Sequence, residues 1–132
     1  MHKVLKVMLT TILLTLVFNG CTKGYESQKT AGDVTVTLSA ASYPLVKGDN
    51  TLIIKVSDAA GKAVTDAKVD IRYYMPAMPG MAPMEYTTQA TPQGSTYTFN
   101  ANIPMEGGWK TNVTVSRMDK TAQVATFNVD AR

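Results

Sequence analysis

A two-residue alternation of apolar and polar side chains is the feature that most limits what this chain can fold into. Every second residue is apolar across residues 34–38, 52–56, 69–73 and 97–103. Successive side chains point to opposite faces of a β-strand, so this period predicts strands with one buried face and argues against helices.

Three further segments bring the predicted number of strands to about seven. They are a weaker one near residues 84–90, one over residues 109–115, and one from about residue 121 to 129, where the apolar parity slips after Val124 as it does at a bulge. The predicted fold is an all-β, immunoglobulin-like antiparallel β-sandwich, with a small closed barrel as the structural alternative. The residues predicted to face inward are Val36, Leu38, Ile54, Val56, Val69, Ile71, Phe99, Val113, Val115 and Phe127.

The N-terminal segment has the build of a secretory signal. Lys3 and Lys6 precede an apolar run over residues 7–18, which is short for a membrane span. The run leads into LVFNGC, which resembles the lipobox of bacterial lipoproteins, with Cys21 as the residue that receives the lipid. An uncleaved N-terminal anchor helix is the alternative, and both interpretations place the rest of the chain outside the cytoplasm.

These features divide the chain into three parts. Residues 1–20 are predicted to be a lipoprotein signal peptide, residues 21–32 a lipid-anchored flexible tether, and residues 33–132 one β-sandwich domain. The expected location is the cell envelope, with the protein anchored to a membrane by its lipid. Thr22 rather than Asp follows the cysteine, so the resemblance favours the outer membrane, facing the periplasm.

Charge and composition exclude several functions. The chain has 13 Lys and Arg against 10 Asp and Glu, and two of the lysines lie in the signal, so the mature protein is nearly neutral. No nucleic-acid partner is expected. The single histidine, His2, also lies in the signal, and Cys21 is the only cysteine. Glu85 and Glu106 have no nucleophile or cofactor motif beside them, so no enzyme is predicted.

Methionine recurs at every third position in YYMPAMPGMAPMEY, at Met75, Met78, Met81 and Met84. The prolines between them favour polyproline II, which places a three-residue repeat on one face. Successive methionines on a straight polyproline rod would stand about 9 Å apart, whereas two sulfurs on one ion lie at most about 4.6 Å apart. Gly80 can take a positive φ, which predicts a fold-back that brings Met78 and Met81 together.

The chemistry of these side chains indicates a soft metal. Thioether sulfur suits copper(I), and by the same softness silver(I), better than magnesium, calcium or zinc. Met105 precedes a Gly-Gly turn and is a further candidate if that turn lies at the same end of the domain. Trp109 is a cation–π candidate there, with a core tryptophan as the alternative. Met75 shares the parity of the core residues before it, and Met118, at a turn, is expected to be incidental.

Two longer stretches, YMPAMPGM and PQGSTYTFNANIPMEGGWKTNVTV, resemble the YtkA-like domain family, which is related to FixH-type proteins and to modules of metal-efflux systems. The resemblance implies an immunoglobulin-like sandwich and a link with copper handling. The positions that carry it are Met75, Pro76, Met78, Tyr97, Met105, Gly108 and Trp109.

The predicted function is therefore binding of copper(I) through methionine thioethers, for copper handling or delivery, with a membrane metal-transport or oxidase-assembly protein as the expected partner. The alternative is an interaction module that binds no metal and docks its methionine- and proline-rich loop on a membrane protein complex.

Overall fold

The computed structural model describes residues 24–132, so the predicted signal peptide and Cys21, the predicted site of lipidation, lie outside the described residues. Nine β-strands follow one another along this part of the chain. They are β1 (Tyr25–Ala31), β2 (Val34–Ala40), β3 (Gly48–Asp58), β4 (Lys68–Met75), β5 (Met84–Gln89), β6 (Thr91–Gln93), β7 (Thr96–Ile103), β8 (Gly107–Ser116) and β9 (Gln123–Ala131).

The strands form two sheets, one in the order β1-β2-β3-β7-β6 and the other in the order β5-β4-β8-β9. Neighbouring strands are antiparallel in both sheets. The predicted all-β antiparallel sandwich is confirmed, and two separate sheets rather than one closed barrel enclose the core. Within residues 24–132, no helix is long and apolar enough to cross a membrane.

The two-residue period in the sequence corresponds to the alternation of side chains between the inner and outer faces of each sheet. In β2, for example, Val34, Val36, Leu38 and Ala40 are buried, while the threonines and the serine between them are partly exposed. All ten residues that were predicted to face inward are buried in one core between the sheets. The alternation therefore determined the inward face of every strand to which it was applied.

Strand β1 corrects the prediction of a tether over residues 21–32. Residues 25–31 pair with β2 along their whole length, from Tyr25 opposite Ala40 to Ala31 opposite Val34. The segment YESQKTA has apolar residues only at its two ends, so it gives no alternation signal. An edge strand can pair through its backbone with few buried side chains, which is why composition did not reveal it.

Strand β9 corrects the expected bulge. The pairing of β8 with β9 runs without interruption from Gly107 opposite Ala131 to Val115 opposite Gln123. Val124 is 53% exposed on the outer face, and Ala125 keeps the inward parity of the strand. The irregularity in the apolar pattern is therefore caused by an exposed valine and not by an extra residue in the ladder.

One end of the sandwich carries most of the residues of interest, and we call it the methionine end. Strand β4 ends there at Met75, β5 begins there at Met84, and β8 begins there at Gly107. Strand β7 ends there as well, because only three residues separate Ile103 from β8. The methionine loop and the segment that contains Met105 therefore leave the sheets at the same end.

Tyr97 connects β7 to the loop before β4. Its buried hydroxyl donates a hydrogen bond to the Val64 carbonyl (2.8 Å) and accepts one from the Ala67 N–H (3.1 Å). We expect Tyr97→Phe to lower the free energy of unfolding by about 2 kcal/mol, because two buried backbone groups lose their partner. Urea denaturation measures this change. Tyr86→Phe, on an exposed ring, should change stability by less than about 0.5 kcal/mol, and equal effects of the two variants would contradict the assignment.

Candidate functional site

The methionine loop closes a β-hairpin between β4 and β5. The two strands pair from Asp70 opposite Gln89 to Met75 opposite Met84. An isolated bridge between Met78 and Met81 continues the same register beyond the strands. The four methionines of the repeat therefore form two facing pairs, an inner pair (Met75 and Met84) and a tip pair (Met78 and Met81).

The turn between Met78 and Met81 has the form that the sequence predicted. The Met81 N–H donates a 2.9 Å hydrogen bond to the Met78 carbonyl, and Gly80 has a φ of 81°. Proline at the second position of a turn and a positive φ at the third are the features of a type II turn. A Cβ on Gly80 would meet nothing within 4 Å, so conformation rather than space requires glycine.

The hairpin removes the difficulty that a straight polyproline rod presents for metal binding. Residues directly opposite each other in an antiparallel pair have Cβ atoms about 4.5–5.5 Å apart. Flexible methionine side chains that start at this spacing can bring two sulfurs within the roughly 4.6 Å that a shared ion requires. Facing positions in the hairpin, rather than neighbours along the chain, are thus the pairs that can hold one ion.

The five predicted methionine ligands differ sharply in exposure. At the tip, Met78 is 45% exposed and Met81 is 39% exposed, whereas Met75 is 3% exposed and belongs to the core. Met84 and Met105 are partly buried and pack against that core. A metal ion that arrives from solvent can therefore reach the tip pair directly, and the alternative of a core position describes Met75.

The segment around Met105 lies against the methionine hairpin. Gly107 has a φ of 132°, and a Cβ there would lie 2.8 Å from the Met75 methyl carbon Cε. Glycine at this position lets the end of the Met75 side chain pack directly on the backbone of the next loop. Met105 is consequently held at the methionine end, as expected if it were to contribute a sulfur. The pairing of β4 with β8, which extends to Tyr74 opposite Lys110, brings the start of β8 beside the end of β4.

Trp109 is a core residue at this end of the domain. It is 1% exposed, and its indole Nε1–H donates a 3.1 Å hydrogen bond to the Met105 carbonyl. The ring lies 6.2 Å from the Tyr73 ring and 6.3 Å from the Tyr86 ring, and these two tyrosines stack on each other at 5.3 Å. This aromatic cluster lies at the base of the hairpin, where Tyr73 pairs with Tyr86, and Trp109 is the member that the sequence predicted as a site residue.

Glu85 is engaged on the opposite face of the hairpin. Arg72 donates two hydrogen bonds to its carboxylate, from Nε to Oε1 at 2.5 Å and from Nη2 to Oε2 at 3.0 Å. The Arg72 guanidinium lowers the pKa of Glu85 below its ordinary value. The ion pair therefore stabilises the folded chain above that value and loses its effect as the pH falls through the lowered pKa.

Alternation along β5 separates this carboxylate from the neighbouring Met84. Among residues 24–132, there is also no group of three or more His, Cys, Asp and Glu side chains that could hold a metal ion. In the part of the chain that the structure describes, the methionines remain the soft ligands that the fold brings together.

Comparison with known proteins identifies the domain. A family model described as YtkA-like matches residues 28–114. Among solved structures, the fold is similar to the crystal structure of the PmoD soluble domain from Methylocystis sp. ATCC 49242 (Rockwell), with a TM-score of 0.51 and 13% sequence identity over 80% of this chain and 96% of that chain. At this identity the likeness shows the fold alone. No curated protein sequence matches the chain.

Proposed function

This chain belongs to the YtkA-like family, and from that premise and the geometry of the hairpin we propose that it binds copper(I) through methionine thioethers. Its role is copper handling or delivery in the cell envelope, and it is not an enzyme. The family resemblance supports the link with copper, and the pairing of the methionines supports the ligands.

The observation that carries this proposal is the facing arrangement of Met78 and Met81. They are bridged across a closed turn, both are substantially exposed, and no charged residue occurs within residues 73–84. Two uncharged sulfurs on facing positions are suited to a soft monovalent ion, copper(I) or silver(I). Met84 and Met105, which are half buried beside the hairpin, are the candidates for a third ligand.

We also propose the anchor and the partner that the sequence predicts. Lipid on Cys21 holds the domain at a membrane. The favoured location is the outer membrane, with the domain facing the periplasm. The partner is a membrane metal-transport or oxidase-assembly protein that gives or receives the ion. Labelled palmitate should enter the wild-type protein and not Cys21→Ser, and equal labelling would overturn the anchor.

Anaerobic titration of residues 24–132 with copper(I), against a competing chelator, tests the metal proposal. We expect one ion per domain and no comparable affinity for zinc(II), because a thioether is a poor ligand for zinc. An unchanged chelator spectrum would show that no copper is bound. The exposed tip would then fit the alternative, a loop that docks on a membrane protein complex without metal.

The affinity for copper(I) should be nearly independent of pH. A thioether has no proton to lose, and Arg72 pairs with Glu85 and lowers the pKa of its carboxylate. We therefore expect less than about a tenfold change in affinity, about 1.4 kcal/mol, between about pH 7 and pH 5. The titration is repeated at both values and corrected for protonation of the chelator. A larger loss at pH 5 would mean that a titrating group shares the site.

A further inference from the structure

The chain enters the sandwich at the methionine end. Strand β1 begins at Tyr25, which pairs with Ala40, the last residue of β2. Strand β3 begins at Gly48, opposite Ile103, the last residue of β7, and Ile103 leads directly into the methionine end at Gly107. The N-terminal start of β1 and the tip of the methionine hairpin therefore point to the same side of the domain.

The distance from the proposed anchor to this end is short. Four residue steps separate Cys21 from Tyr25, and whatever conformation they adopt they span at most about 14 Å. The hairpin also runs four residues past its last strand pair, from Met75 to Pro79, which is up to about 13 Å of extended chain. An anchor at Cys21 thus holds the methionine end close to the membrane surface, within the reach of the hairpin tip.

The composition of the tip suits a position at a lipid surface. Residues 76–83, PAMPGMAP, carry no charge and no polar side chain. Three of the eight are prolines without an N–H, and the Met81 N–H is bonded within the turn, so half of the positions in this segment have no backbone donor that loses water on contact with lipid. Val46, in the loop after β2 at the same end, adds a side chain that is 51% exposed.

The far end of the sandwich carries charged side chains where the hairpin tip carries none. Strand β8 ends there, and the turn that follows is held by an ion-pair cluster. Arg117 Nη2 lies 2.5 Å from Asp33 Oδ1, and Lys120 Nζ lies 3.4 Å from Asp33 Oδ2. Met118, in the same turn, is 90% exposed. The uncharged hairpin tip therefore differs from the charged turn at the far end in the way that distinguishes a lipid-facing surface from a solvent-facing one.

We propose that the methionine end faces the membrane and that the hairpin tip, residues 76–83, rests on the lipid surface. This inference depends on the proposed anchor at Cys21 and is independent of copper binding. If both the orientation and copper(I) binding hold, the tip pair of methionines lies at the membrane surface. Copper(I) then passes between this domain and a membrane-embedded partner rather than a protein free in solution.

Site-specific fluorescence on the full-length lipoprotein tests the orientation. Acylated Cys21 has no free thiol, so Ala82→Cys at the tip and Met118→Cys at the far end each give one labelling site, and neither change touches the tip pair. Each variant is labelled with an environment-sensitive fluorophore and reconstituted in phosphatidylethanolamine vesicles that contain headgroup spin-labelled lipid.

The label at position 82 should shift to shorter emission wavelength and be quenched at least about twofold, since an interfacial apolar surface is buried about 5–10 Å into the headgroup boundary. The label at position 118 should be unaffected. Unquenched labels at both positions, or stronger quenching at 118, would overturn the orientation. If the protein does not float with the vesicles, anchor and orientation fall together. Copper binding, measured on the soluble domain, is a separate result.

Discussion

Replacing Met78 and Met81 together by leucine should lower the affinity for copper(I) at least about 100-fold, which corresponds to about 2.7 kcal/mol. Leucine keeps the approximate volume of methionine and removes the sulfur. Both side chains are exposed at the tip, so the fold should be unchanged. Each single variant should lose less than the double variant, because the two sulfurs share one ion. The measurement is anaerobic competition titration, with circular dichroism to verify the fold.

Two methionines serve as matched controls for this experiment. Met118→Leu removes an exposed sulfur at the far end, and Met75→Leu removes a buried sulfur of the inner pair. Neither should change copper(I) affinity. Wild-type affinity in the double variant would remove the tip pair from the site and favour a docking loop. A loss confined to Met75→Leu would instead move the site to the inner pair.

Replacing Trp109 by alanine should lower the free energy of unfolding by about 3–5 kcal/mol, the cost of emptying a large core position. The indole is 1% exposed, contacts the rings of Tyr73 and Tyr86, and donates to the Met105 carbonyl. A loss of this size is a large share of the roughly 5–15 kcal/mol that stabilises an ordinary domain. Trp109 is the only tryptophan, so unfolding in urea is followed by far-ultraviolet circular dichroism.

Val124→Ala is the control for Trp109→Ala, because it removes an exposed apolar side chain from the neighbouring strand β9. It should cost less than about 0.5 kcal/mol. The outcome that contradicts our assignment is a small stability change in Trp109→Ala together with lost copper binding. That result would make the indole a cation–π ligand rather than a core residue.

The sequence alone determined the class of fold and ten of the residues of the core. The period of two is a direct consequence of strand geometry, so Val36, Ile71 and Phe127 could be placed inside before any pairing was known. It also determined the turn at the tip, because Pro79 and Gly80 have backbone preferences that act locally. Local preferences did not predict β1, because formation of this strand depends on backbone pairing with β2.

Only the tertiary structure decided which methionines can act together. Spacing along the chain could not say that Met75 is buried, that Met78 and Met81 are exposed, or that Gly107 packs against the Met75 side chain. These facts depend on the register of β4 with β5 and with β8, which joins residues far apart in sequence. The chemistry of the thioether follows from composition, whereas its access to an ion follows from how the two sheets close over the core.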